Sequence, residues 1–213
     1  MEAWGNPAGE GTLGMLFPAG VSPVSAEGWG VVITYDEQGY VSDGDADRID
    51  YDDLLKEMKE GIGEQNKERQ KQGHQTIDLV GWAAKPRYDK DQHKLYWAKE
   101  LSFGGDKDHI LNYNIRVLGR KGVLVLNAVS DMSQLAGVEK EMQKGLAFTD
   151  FNSGFRYADY DSKTDKAASF GIAALVAGGV AAKAGLFSKL LALLLAAKKL
   201  VIAGIIAVGA LLT

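Results

Sequence analysis

The sequence contains no cysteine. That excludes disulfides, thiol nucleophiles and cysteine-ligated metal centres. Histidine is scarce: His74, His93 and His109 lie on separate stretches without ligand-like spacing, so no shared metal site is expected. There is no GxSxG, Walker or HExxH motif, and no catalytic residue, cofactor or metal ligand is assigned. The formal net charge is -4, and an acidic chain lacks the basic face that nucleic-acid binding requires. The first residues hold no basic region followed by an apolar core, so they do not read as a signal peptide.

The most telling absence is at the other end. From Ala167 to Thr213 there is no Asp, Glu, Asn, Gln, His or Arg, and the only charges are Lys183, Lys189, Lys198 and Lys199. Such a run reads as a membrane anchor occupying 167–213. Ala167 to Ala182 spans about 24 Å as helix, short of a hydrocarbon core of roughly 30 Å. Continuing to Ser188 gives about 33 Å, with Lys183 able to snorkel to the headgroups. The expectation is a crossing at about 167–188, a Lys-bearing segment at 183–199, and a second apolar segment at 200–213. The latter spans only about 21 Å. The four lysines place their end on the cytoplasmic side. The acidic domain before them would face the periplasm or cell exterior. The spacings Ala174-x-x-x-Gly178, Gly178-x-x-x-Ala182 (with Gly179 inside it) and Ala203-x-x-x-Ala207 let helix backbones approach, as in self-associating membrane helices.

The preceding part divides into a domain at 1–150 and a polar, aromatic connector at 151–166. Residues Gly11 to Pro18 hold one short apolar run that suits an edge strand. Trp29, Val31, Ile33 and Tyr35 alternate as a strand, and a turn at Asp36–Gly39 returns through Tyr40. Asp43-Gly-Asp-Ala-Asp begins like a calcium loop, but Arg48 stands where glycine belongs and Leu54 where the closing Glu belongs. Asp50 instead reads as the N-cap of a helix from about Tyr51 to Gln72, with Tyr51, Leu54, Leu55, Met58 and Ile62 as its apolar stripe. Gln75–Ala84, His93–Phe103, His109–Leu118 and Val123–Val129 read as strands, with a loop from Pro86 to Gln92. The last is apolar on both faces and so central. Asp131 opens a second helix, with Gln134 positioned for a capping box and Leu135, Val138, Met142 and Leu146 at helical spacing. The fold class is α+β: a mostly antiparallel sheet with two main helices, followed by the carboxy-terminal transmembrane region.

One polar row stands out. Asn112, Asn114 and Arg116 share a strand face opposite Leu111, Tyr113, Ile115 and Val117. The plain reading is the solvated side of a half-buried sheet. The functional reading is a ligand face, where amides and a guanidinium hold an anion or carboxylate. Trp82, Trp97, Tyr96 and Tyr113 read as core.

Taken together, Gly5-Asn-Pro, Gly39-Tyr-Val41, Asp53-Leu-Leu, Gly81-Trp82, Tyr88-Asp89, Leu95-Tyr-Trp97, Asn112-Tyr-Asn114, Leu118-Gly-Arg120, Arg156-Tyr-Ala158 and Gly171–Gly179 form a specific set. The chain resembles, over nearly its whole length, a bacterial family of uncharacterised membrane-anchored proteins. The resemblance implies a signal peptide and further residues ahead of Met1, and a more basic end after the last apolar segment. The sequence is therefore expected to begin inside a longer natural chain. It supplies no activity to carry over. The expected function is a non-enzymatic envelope scaffold or assembly component in the inner membrane. Its expected partners are the lipid bilayer, further copies of itself and other envelope proteins. The alternative is a tethered extracytoplasmic ligand-binding module.

Overall fold

The computed structural model describes residues 11–22, 25 and 28–178. Its framework is a six-stranded sheet in the order β1-β2-β7-β6-β5-β4, antiparallel throughout. The strands are β1 (Thr12–Leu16), β2 (Gly30–Asp36), β4 (Ile77–Asp89), β5 (Lys94–Phe103), β6 (Ile110–Leu118) and β7 (Val123–Asp131). A second, two-stranded sheet pairs β3 (Tyr40–Ser42) in parallel with β8 (Ala167–Gly171). Helices α1 (Tyr51–Lys71) and α2 (Leu135–Ala147) are the two main ones, and a short α3 (Ile172–Ala177) follows β8 directly. The architecture is α+β, as expected.

Local chemistry sets most element boundaries. The Asp50 carboxylate accepts from the backbone N–H of Asp52 and Asp53 and opens α1, satisfying donors that have no partner inside the helix. The α1 stripe turns Met58 into the core beside Leu54, Leu55 and Ile62. One turn on from Ile62, Asn66 grips the start of β4: its Nδ2 donates to the Ile77 carbonyl and its Oδ1 accepts from the Ile77 N–H. Before α2, Asp131 caps the N–H of Ser133 in a 3-10 turn at Met132–Gln134, in place of the reciprocal box expected with Gln134. Lys94 closes the far end of α2 by donating to the Leu146 carbonyl.

Strand β4 runs on through Pro86, where a loop was expected. Its pairing with β5 shifts register between Ala84 and Arg87, and β4 is a sheet edge. A proline lacks the ladder N–H, and both an edge and an irregularity accommodate that loss.

Both faces of the sheet are covered. On one, Val138, Met142 and Leu146 of α2 pack on Val31, Ala98, Leu111, Tyr113, Ile115, Val117, Leu126 and Ala128. On the other, α1 covers Ile77, Leu79, Leu101 and Phe103. Beside it, β3 and α3 cover Leu95, Trp97, Leu118 and Val123 through Val41, Ile172, Leu175 and Val176. The expected order is therefore right about β7 as a central strand, but the sheet has no open solvated side at its centre.

The joint at β8 and α3 revises one boundary. A crossing was expected from 167, yet Ala167–Gly171 pairs with β3, and Ile172, Leu175 and Val176 are buried in the domain. Asp45 fixes the joint: its two carboxylate oxygens accept from the N–H of Ile172 and Ala173. Gly178 then ends α3 with φ +118, a conformation that glycine adopts without strain. Ala174 and Gly178 therefore span a helix end rather than one face of a continuing helix. Residues 151–166 fold onto the domain too: Arg120 forms a bidentate ion pair with Asp165, and Tyr157 is buried. No helix among the described residues is long and apolar enough to cross a membrane. The expected spans beyond 178, with Gly179, Ala182, Ala203, Ala207 and the four lysines, lie outside the described residues.

The β3–β8 pairing depends on a close approach at Gly39, where φ is +94 and an added Cβ would lie 2.6 Å from the Lys166 carbonyl oxygen. Gly39→Ala should lower unfolding stability by about 1–3 kcal/mol. Gly61→Ala, within α1 where an added Cβ meets nothing within 4 Å, should stabilise by about 0.5–1 kcal/mol. Urea unfolding of both variants checks this, and equal effects would contradict the account.

Candidate functional site

The polar row of β6 is brought to the centre of the sheet face that also carries α1, β3 and α3. Period two puts Asn112, Asn114 and Arg116 on that face together with Trp97 and Lys99 of β5 and Asn127 of β7. Register confirms it: Lys99 is opposite Asn112, Trp97 is opposite Asn114, and Asn114 is opposite Asn127. This is the interior, not a solvated outer side. Asn112, Asn114 and Asn127 are only 3, 2 and 2% exposed. The plain sequence reading is overturned because a strand pattern shows which residues share a face but not what lies on it.

Three buried amides must satisfy one another, and they do so in a closed ring. Asn112 Nδ2 donates to Asn127 Oδ1 at 3.2 Å. Asn127 Nδ2 donates to Asn114 Oδ1 at 2.8 Å. Asn114 Nδ2 donates to Asn112 Oδ1 at 2.8 Å. Within the ring each amide gives one hydrogen bond and takes one, and Asn114 Nδ2 also donates to the Asn112 carbonyl, so the ring fixes the side-chain orientation of all three.

Two cations border the ring. The Arg116 guanidinium carbon sits 4.9 Å from the Trp97 ring centroid, and the Lys99 ammonium 6.0 Å from it. Arg116 donates to the Ile115 carbonyl and, at 3.5 Å, to Asn114 Oδ1. The Asp36 carboxylate acts favourably on its charge, more weakly than burial opposes it. Burial lowers Arg116 from its ordinary value to about 10. Burial, and then repulsion from Arg116, pull the Lys99 ammonium down to about 7. Trp97 is 1% exposed, and its indole N–H is buried without a hydrogen-bond acceptor.

Neither Lys99 nor Asn127 was singled out by sequence reasoning, although each left a signal. Lys99 falls at the odd position between Trp97 and Leu101, on the apolar side of β5. Asn127 is the one amide in a strand that is otherwise apolar on both faces. The other polar residues considered have structural work. Asp43 accepts from the Tyr88 hydroxyl, and His93 Nδ1 lies 3.1 Å from that hydroxyl while its ring stacks on Tyr157. His109 pairs with Glu100. Asp43 and Asp45 therefore serve a hydrogen-bonded corner and the α3 cap, and the residues that began like a calcium loop include a 3-10 turn at Ala46–Arg48. Among the described residues, no group of three or more His, Asp or Glu side chains is placed to hold a metal ion.

A family model described as "Protein of unknown function (DUF2167)" matches residues 1–209, and the chain belongs to that family. No curated protein matches it. Among solved structures, the crystal structure of the protein of unknown function PA94 from Pseudomonas aeruginosa is similar at 10% identity and a TM-score of 0.38. That match covers 68% of this chain and 85% of the other.

The asparagine ring yields a stability prediction. Asn127→Val strands a buried donor on Asn112 and leaves Asn114 Oδ1 only its long bond from Arg116, and should cost about 1–3 kcal/mol. Replacing Asn112, Asn114 and Asn127 together by Val should cost clearly less than the sum of the three single changes, because no amide is then left unsatisfied. Denaturant unfolding of the four variants measures this, and simple additivity would contradict the ring.

Proposed function

We propose that this protein is a membrane-anchored envelope protein of non-enzymatic scaffold or assembly type. Its carboxy-terminal apolar segment holds it in the inner membrane and associates with further copies. The observation that carries this reading is the joint at the head of the apolar run. Residues 167–177 belong at once to that run and to the domain core, through β8, α3 and the Asp45 cap. Such a joint seats the domain directly at the start of the apolar run, which suits a part that presents its surface to neighbours. The composition of 178–213, with four lysines and no acid, favours a bilayer location with those lysines on the cytoplasmic side and the acidic domain facing outward. Other envelope proteins are natural partners for that domain.

A second reading, an extracytoplasmic ligand-binding module tethered to the membrane, is favoured by a separate observation: the unpartnered Trp97 N–H beside Arg116.

The scaffold reading is tested by the mass of the full chain in detergent, by mass photometry or light scattering. A discrete multimer is expected, and Ala203→Leu with Ala207→Leu should dissociate it by blocking close helix approach. These positions are preferable to Gly178, whose replacement would disturb the end of α3 whether or not the chain associates. A monodisperse monomer would overturn the scaffold reading.

A further inference from the structure

We propose that the outer edge of β1 is an interface between two copies of this chain, which pair their β1 strands antiparallel into one continuous sheet. The inference deepens the scaffold reading and rests on it: it names a contact within the folded domain, separate from the membrane segment. The two edges of the six-stranded sheet are built very differently. Strand β4, at one edge, carries Asp78, Lys85, Arg87 and Asp89, holds Pro86, and shifts register against β5 at three places. Charges, proline and irregular pairing are the features that keep an edge strand from accepting another. Strand β1, at the other edge, has no charged residue and no proline. Its outer side pairs with no strand among the described residues, and Leu13 and Leu16 are 66% and 48% exposed. Its single irregularity lies between Thr12 and Gly14, so residues 14–16 stay in regular register with β2.

Two properties select a second copy as the occupant. The first is charge. The chain is acidic, at -4, so copies repel one another in general. Residues 11–26 contain no Asp, Glu, Lys, Arg or His, and two copies that meet there bring no like charges together. The second is symmetry. An antiparallel pair of identical edge strands is related by a twofold axis perpendicular to the sheet. That axis keeps the same sheet face on the same side in both copies. The faces that carry α1, β3 and α3 therefore lie together on one side of the joined sheet, and both apolar runs start from that side, as attachment to a single bilayer requires. Parallel pairing needs a twofold along the strands, which turns one sheet over and puts the two runs on opposite sides. Strand β1 has only five residues, and a contact of that length buries well under the roughly 1,000 Å² of a self-sufficient interface. Anchoring in a common membrane raises the effective concentration of the two edges for each other, so the edge contact and the membrane segment act together.

The absence of cysteine makes disulfide cross-linking the direct test, in the full chain reconstituted in phospholipid vesicles. Thr12→Cys, Leu13→Cys, Met15→Cys and Leu16→Cys are made one at a time and oxidised. Val80→Cys on β4, also exposed, measures chance collision. A disulfide needs Cα atoms within about 7 Å, so at least one β1 position should cross-link about tenfold or more above Val80→Cys. In the variant that cross-links best, Leu13→Lys and Leu16→Lys, whichever of them remain to be changed, should bring cross-linking down to the Val80→Cys level by facing like charges across the edge. Both leucines are exposed, so their replacement leaves the core intact, and the cysteine scan stands without them. Mass photometry of the same variants in detergent separates the two levels of the account. Cross-linking at every β1 position no higher than at Val80→Cys means that another part of the chain or a different protein covers the edge, and overturns the inference. A discrete multimer in that case leaves the scaffold reading standing, and a monomer removes both. Strong β1 cross-linking that persists with the lysines also overturns edge pairing.

Discussion

The carboxylate of Asp45 holds the two amide groups that open α3, and the seating of residues 167–178 depends on that contact. A short helix ending at Gly178 has too few internal hydrogen bonds to stand alone. It is stable here because its first donors are capped from a loop far away in sequence, its apolar residues sink beside Leu95 and Trp97, and β8 before it pairs with β3. Each of these supports the others. Remove the cap and the N–H groups lose their acceptors; remove the parallel pairing and the cap no longer faces them. The Arg120–Asp165 ion pair just upstream fixes the approach of the chain to the joint.

This joint also decides what becomes of the sheet. With α2 on one face and α1, β3 and α3 on the other, strands β5, β6 and β7 are buried on both sides. A strand in that position normally reads as continuous apolar sequence. Here three asparagines, a lysine and an arginine interrupt it. The amides are reconciled with burial by their closed ring, so the interior tolerates them. The Trp97 N–H, buried without an acceptor, is not reconciled in the same way.

Much of the fold was legible in the residues because its signals are local. The Asp50 cap, the Leu54–Met58–Ile62 stripe and the alternation of Leu111, Tyr113, Ile115 and Val117 each follow from the geometry of one element. What lies on an element is not local. The same alternation that grouped Asn112, Asn114 and Arg116 correctly said nothing of the layer above them, so they read as solvated. Apolar composition had the same blind spot at the other end. Ala167 to Ala177 looks alike whether protein or lipid surrounds it, and only the pairing with Tyr40 and the reach of Asp45 place it in the domain. Pro86 misled for a third reason: an edge strand with shifted register tolerates what a central strand would not.

The account turns on whether residues 167–177 belong to the domain when the chain is in a bilayer. Hydrogen exchange of the full chain reconstituted in phospholipid nanodiscs reports this directly at the Ile172 and Ala173 amides. With the Asp45 cap in place, these amides should be protected to a degree close to that of the β6 and β7 core, and Asp45→Ala should make them exchange far faster while β6 and β7 stay protected. Fast exchange at Ile172 and Ala173 in the unaltered chain, or slow exchange indifferent to Asp45→Ala, would contradict the joint and with it the proposed scaffold.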